Sequence, residues 1–358
     1  MHTSTAKGLL ACSVAAASLS AQSADLPEPT IGTRAEVMAR VNPEYPRREL
    51  RKGAEGWVQL SYVISPTGDV TDVVVVDAVG SRAFIEPALS AVRQWKYAPA
   101  TWEGKPVEQC NNLQIIKFVL DPPLQGGRSK QMDAYMKINR LIKTGRVDEA
   151  NALLEKAIEW DLNSYEMAFF NLQLAELARM EGRPDAEFEY LGRAAVGEEV
   201  LGRRTDRAFL KRLFISAAST NHVATALNAF EELERYSSNI EDWHVYEDIR
   251  AKLIAHRDGD GILVHDGVIE GERQDFSEFW RHDLLRRSIE FGGMSGELGK
   301  FELRCDRKYL TDGVAGGRNW TLPEEWGHCE IYVFGKPGSS FKLYELPPPS
   351  AATSSPAS

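Results

Sequence analysis

The sequence predicts a multidomain α+β chain, with a small sheet-plus-helix domain, an α-helical hairpin array and a C-terminal antiparallel β-rich domain. Three observations carry that expectation. Between Trp57 and Trp95, two runs suited to strands are followed by apolar residues at helical spacing. From about Lys130 to Ile254, small and apolar residues recur at helical spacing between glycine breakers. Beyond Gly261, short β-like runs are punctuated by Gly292-Gly293, Gly316-Gly317 and Pro337-Gly338. Two breaks separate these regions, Asp121-Pro122-Pro123-Leu124-Gln125-Gly126-Gly127-Arg128 and Asp258-Gly259-Asp260-Gly261. The expected boundaries are 30–121, 130–256 and 261–346, preceded by a signal segment over 1–24 and followed by a small-residue tail over 347–358.

The ends and the charge bound the setting. Lys7 precedes a short apolar run from Gly8 to Ala21, and the small residues up to Ala24 suit signal-peptidase cleavage. That run is well short of the ~20 residues needed to span a bilayer. Two other readings stand beside it: a retained amphiphilic tail, and lipidation at Cys12 within Leu9-Leu10-Ala11-Cys12. A periplasmic location with no transmembrane helix in the mature chain is therefore expected. The formal net charge of -10 argues against a nucleic-acid partner, which needs a basic stripe. In an oxidising compartment, Cys305 and Cys329 are expected to bridge, stabilising by ~3 kcal/mol. The competing reading leaves Cys110, Cys305 and Cys329 all unbridged in cores.

In the first domain, Val58, Leu60, Tyr62 and Ile64 line one face of a strand at period two. Pro66-Thr67-Gly68-Asp69 supplies a turn, and Val70 to Asp77 returns as a second strand. Ile85, Ala88, Leu89, Val92 and Trp95 predict a covering helix, and Val107 to Leu120 a long closing strand. Only the helix-covered face is expected to need an apolar surface. In the second domain, Gly145 and Gly182 lie about 37 residues apart, near the period of two-helix repeats. The β-rich domain is expected to hold strands over 261–269, 287–291, 300–305, 329–334 and 341–346, with a short helix over 275–285.

Several motifs of the first domain occur in a fixed order. They are Pro43-Glu44-Tyr45-Pro46, Gly53-Ala54-Glu55-Gly56-Trp57-Val58, the Gly68 turn, Trp95-Lys96-Tyr97-Ala98-Pro99-Ala100 and Gly104-Lys105-Pro106-Val107. Residues 42–120 on this basis resemble the C-terminal domain of TonB-family energy transducers. The resemblance implies a compact sheet-plus-helix domain that captures a short segment of an outer-membrane receptor as an added strand, by β-augmentation. Carried onto this sequence, the peptide-binding edge is Val107 to Leu120, with Val107, Cys110, Gln114, Ile116 and Phe118. Pro43, Tyr45, Pro46, Gly56, Gly68, Trp95 and Pro99 are implied as scaffold. Unlike a transducer, the sequence shows no long Pro-rich arm, which favours a periplasmic protein-binding adaptor over a motor-coupled protein. The helical region resembles tetratricopeptide repeats through Gly145, Ala150 and Ala157, implying a protein or peptide partner. Neither resemblance nor composition indicates an oligomeric state.

Catalysis, cofactors and metals are not expected. His222, His244, His256, His265, His282 and His328 form no compact zinc pattern, and the Asp258-Gly259-Asp260-Gly261 stretch lacks the later acid of a calcium loop. Two alternatives remain: a purely structural helical scaffold, and a glycan-binding or glycan-processing protein. The second would draw on Asp275 with Glu278, Glu324 with Glu325, or a surface of Trp320, Trp326 and Tyr332.

Overall fold

A computed structural model describes residues 32–120, 127–196, 207–270 and 279–347. The chain is multidomain, mixing α-helical with antiparallel β-sheet regions. The expected signal segment, the tail and Asp275 with Glu278 lie outside the described residues.

The first region comprises β1 (Glu36–Ala39), α1 (Arg47–Lys52), β2 (Gly56–Ile64), β3 (Val70–Val79), α2 (Ile85–Val92), β4 (Lys96–Ala98), β5 (Ala100–Trp102), β6 (Lys105–Val107) and β7 (Gln109–Phe118). Its main sheet has the antiparallel order β3-β2-β7. One parity of β2 places Val58, Leu60, Tyr62 and Ile64 under Ala88, Leu89 and Val92 of α2, with Ile116 and Phe118 from β7. The closing strand is not continuous. Val107 sits in the β5–β6 hairpin opposite Ala100, and the chain bends at Glu108 before β7 pairs with β2. Among the described residues before Arg40, β1 pairs with β4 and not with β7, and Ala35 N–H donates to the Gln109 side chain at the start of β7.

The second face of this sheet is also covered, contrary to the expectation of a single buried face. Trp57, Ser61 and Val63 have the opposite parity and are all buried. The cause lies in the other regions of the chain. Arg193 forms a bidentate pair with Asp77 at 2.9 and 3.0 Å, Val79 packs into a helical core, and Arg304 reaches Ser61. An isolated sheet-plus-helix fragment would expose this face to water.

The helices are α3 (Ser129–Lys143), α4 (Val147–Ile158), α5 (Ser164–Met180), α6 (Pro184–Val196), α7 (Arg207–Ser219), α8 (Val223–Glu234) and α9 (Trp243–Asp258). Fully buried Ala150, Ala157, Ala175, Ala178 and Ala226 leave room for close backbone approach. Three connections share one geometry. Gly145, Gly182 and Asn221 take φ of 70°, 68° and 60°, and the next residue's N–H returns to Leu141, Ala178 and Ala217 carbonyls at 2.9 Å each time. Left-handed residues in this place satisfy the last carbonyls of the preceding helix. Helix α5 is fixed by a reciprocal capping box between Asn163 and Glu166.

The remaining strands are β8 (Leu263–Val268), β9 (Phe279–Asp283), β10 (Ser288–Ser295), β11 (Leu298–Cys305), β12 (Tyr309–Gly313), β13 (Asn319–Thr321), β14 (Cys329–Gly335) and β15 (Ser340–Leu346). They form two four-stranded sheets, β13-β10-β15-β8 and β12-β11-β14-β9. The expected helix over 275–285 is corrected: Phe279–Asp283 is strand β9, paired antiparallel with β14. Trp280 packs on interior Phe341, and Phe279 on Tyr332 of the opposite face. Period two therefore governs this segment, whereas its clustered aromatics suited either pattern. Trp320 and Tyr332 are buried and Trp326 packs against the core, so these rings form no open carbohydrate surface.

Cys305 and Cys329 lie directly opposite each other on β11 and β14 and are joined by a disulfide. Replacing both with Ala is expected to lower unfolding free energy by about 3 kcal/mol, for a sequence separation of 24. Chemical denaturation of the oxidised wild type and the double variant measures this. A loss below about 1 kcal/mol would mean that strand pairing already constrains the loop in the unfolded chain.

Candidate functional site

Strand β7 is the site that the motifs single out. It occupies one end of the β3-β2-β7 sheet, and among the described residues only β2 pairs with it. An edge strand carries a row of main-chain donors and acceptors that another extended chain can pair with. Its side chains divide by face. Ile116 and Phe118 enter the core, Gln114 is half-buried, and Cys110 is fully buried on the face toward the β-sandwich. Leu113, Lys117 and Val119 remain exposed. Of the residues proposed for the edge, Cys110, Ile116 and Phe118 have buried side chains, and Val107 precedes β7, in β6. Burial pushes the Cys110 thiol well above its usual range.

Of the residues carried over as scaffold, Tyr45 touches β7 through Phe118, and the others pack elsewhere in the same region. Tyr45 meets the Phe84 and Phe118 rings edge-on at 5.6 and 5.8 Å, while its hydroxyl donates to the Ala54 carbonyl. Pro46 opens α1, its carbonyl accepting from Leu50 N–H. A Cβ on Gly56 would come within 2.5 Å of the Val79 carbonyl and 2.8 Å of the Phe84 ring. Gly68 has φ of 84°, and its carbonyl accepts from Tyr97 N–H at 2.9 Å; a Cβ there would meet the Tyr97 carbonyl at 1.9 Å. Buried Trp95 donates through Nε1 to the Val41 carbonyl at 2.8 Å, and half-buried Pro99 separates β4 from β5.

Both ends of β7 are tied to other parts of the chain. At its start, the Glu108 carboxylate accepts from Tyr309 N–H at 3.0 Å and Lys308 Nζ at 3.3 Å. Past its end, Leu120 N–H donates to Glu55, whose second oxygen accepts from Ser164 N–H at the start of α5. Between them, Arg304 crosses from β11 to the first sheet. Wholly buried, it donates to Ser61 Oγ at 3.0 Å, the Asp72 carbonyl at 2.8 Å and Glu302 Oε2 at 2.6 Å, over the Tyr332 ring. Asp72 takes φ of 48° at an irregularity in the β2–β3 register, where a bulge can re-aim a carbonyl. Burial alone would raise the Glu302 carboxyl, but Arg304 and Lys300 hold it below the usual carboxylate range.

A second polar cluster joins the two sheets of the sandwich. His265 on β8 and His282 on β9 both bring Nε2 to Glu345 Oε1 on β15, at 2.9 and 3.0 Å. The other Glu345 oxygen accepts from Leu285 and Arg286 N–H at 2.7 and 2.6 Å. Arg286 in turn donates to the carbonyls of His256, Arg257, Gly259 and Gly261, so the Asp258–Gly261 stretch is held as a turn between α9 and β8. Sequence spacing links His265 with His256 and Asp258; the structure links it with His282 and Glu345 instead. Glu324 and Glu325 are both exposed and enclose no pocket with each other.

Residues 41–120 match the family described as Gram-negative bacterial TonB protein C-terminal. Protein TonB of Vibrio cholerae is 32% identical over 85 residues, covering 24% of this chain and 34% of that protein. Protein TonB of Escherichia coli is 29% identical over 80 residues, covering 22% and 32%. The chain thus spans about a third of the length of these curated relatives. The solution structure of the Pseudomonas aeruginosa TonB C-terminal domain aligns at 26% identity over 24% of this chain and 87% of its own, with a TM-score of 0.23. TonB-family domains are non-catalytic adaptors. No helix among the described residues is long and apolar enough to cross a membrane. The stretch from residue 41 to 120, whose β7 pairs with β2 alone among the described residues, matches the TonB C-terminal domain family.

Proposed function

We propose that this chain is a periplasmic protein-binding adaptor whose TonB-like module takes an extended peptide onto the outer side of β7. The observation that carries this reading is the one-sided pairing of β7, on the stretch matched to the TonB C-terminal family. Backbone pairing would supply affinity, and exposed Leu113 and Lys117 would select the incoming side chains. The partner is a segment of a cell-envelope protein, an outer-membrane receptor foremost, linking the chain to transport across that membrane. The Cys305–Cys329 bridge supports the compartment. The three alike connections at Gly145, Gly182 and Asn221 support a tetratricopeptide-like repeat reading of the helices, with a second protein-binding surface.

The full chain is the material for the test, since the second sheet face is covered by the other regions. Hydrogen–deuterium exchange is measured with synthetic peptides from the periplasmic segments of outer-membrane receptors. Protection concentrated in Gln109–Phe118 is the expected result, with Leu113→Asp lowering affinity about tenfold. Protection elsewhere only, or none across the panel, removes the proposal.

A further inference from the structure

We propose that His265, His282 and Glu345 form a binding site for a divalent transition-metal ion, zinc foremost. Two imidazoles and a carboxylate are a zinc donor set that leaves a fourth position for water. The three residues come from β8, β9 and β15, and one potential ligand atom of each lies within 4.8 Å of the other two. Tetrahedral zinc with bonds of about 2.0–2.2 Å holds its donors roughly 3.3 Å apart. The present separations from Glu345 Oε1, 2.9 and 3.0 Å, need to open by only a few tenths of an ångström.

A second observation is independent of that spacing. His265 is 7% exposed, and its Nε2 approaches Glu345 Oε1 at 2.9 Å outside straight hydrogen-bond geometry. A buried nitrogen in that position carries a desolvation cost that a straight N–H···O bond would have removed. A ligated ion removes it as well. The surroundings orient the donors as a metal centre requires. Two backbone N–H groups occupy Glu345 Oε2 and leave Oε1 facing the histidines. The Asn221 amide nitrogen lies 3.4 Å from His265 Nδ1, and turning that amide end for end would let its oxygen accept the Nδ1–H that a metal-bound imidazole carries; Trp280 stacks on His282 with planes 17° apart. Strands β8 and β9 are the end strands of different sheets and do not pair with each other. An ion here would link those sheets where no backbone ladder does, beside the α7–α8 connection that carries Asn221.

The test uses the full chain, stripped with chelator and titrated with ZnCl2 by calorimetry, with melting temperature read in parallel. One equivalent of Zn2+ and a raised melting temperature are expected. His265→Gln and His282→Gln should each weaken binding by about a hundredfold or more, whereas His244→Gln, at an exposed histidine on α9, should not. Absence of stoichiometric binding overturns the proposal, as does binding indifferent to both glutamine variants. If those variants do not fold, Co2+ bound to the wild-type chain is read instead. The strong visible absorption of a four-coordinate site supports the assignment, and a pale six-coordinate spectrum overturns it.

Discussion

Arg304→Ala is expected to cost about 3–5 kcal/mol of folding stability, measured as a shift in the denaturant midpoint at unchanged slope. Truncation leaves Glu302 buried with only Lys300 as a charged partner, and removes the donors to Ser61 Oγ and the Asp72 carbonyl. The full penalty applies because the guanidinium is shielded from water. Arg304→Met combined with Glu302→Leu should recover much of the loss, since a buried ion pair can be replaced by apolar groups of similar volume. A loss within about 0.5 kcal/mol for the alanine variant would show that the contact between the sandwich and the first sheet contributes little.

Phe84→Ala should cost a similar amount, about 3–5 kcal/mol. Its ring stacks on Phe118 at 4.4 Å, meets Tyr45 edge-on and lies against Gly56. The cavity cannot be refilled by Gly56→Ala, because the new methyl would still approach the Val79 carbonyl at 2.5 Å. The double variant is therefore expected to be no more stable than Phe84→Ala alone. Recovery in the double variant would contradict the packing described for β2, β3 and β7. Since Phe118 is the last residue of β7, exchange protection along that strand should fall together with stability.

The first region was largely legible because its determinants are local. Gly68 must accommodate Tyr97, Gly56 must admit Phe84, and the period-two run from Val58 to Ile64 marks one buried face. What sequence did not show was burial of the other face, with Trp57, Ser61 and Val63, where Ser61 meets a partner far along the chain. Ser61 and Arg304, for example, are 243 residues apart. Strand β9 departs from the expected helix over 275–285 for a related reason: spacing within so short a segment does not separate the two patterns, and pairing with β14 fixes period two. The Glu345 cluster was hidden because His282 and Glu345 are separated by 63 positions and meet only when the two sheets stack. Local spacing drew attention to the Asp258–Gly261 turn, whose carbonyls serve Arg286 instead.

The anchoring of β7 through Glu108 and Glu55 has a mechanical consequence. A tug along that strand cannot peel its bonds to β2 one after another, because both extremities are fastened to neighbouring parts of the chain. Tension must instead load the whole ladder in shear and pass onward into the sandwich at one extremity and helix α5 at the other.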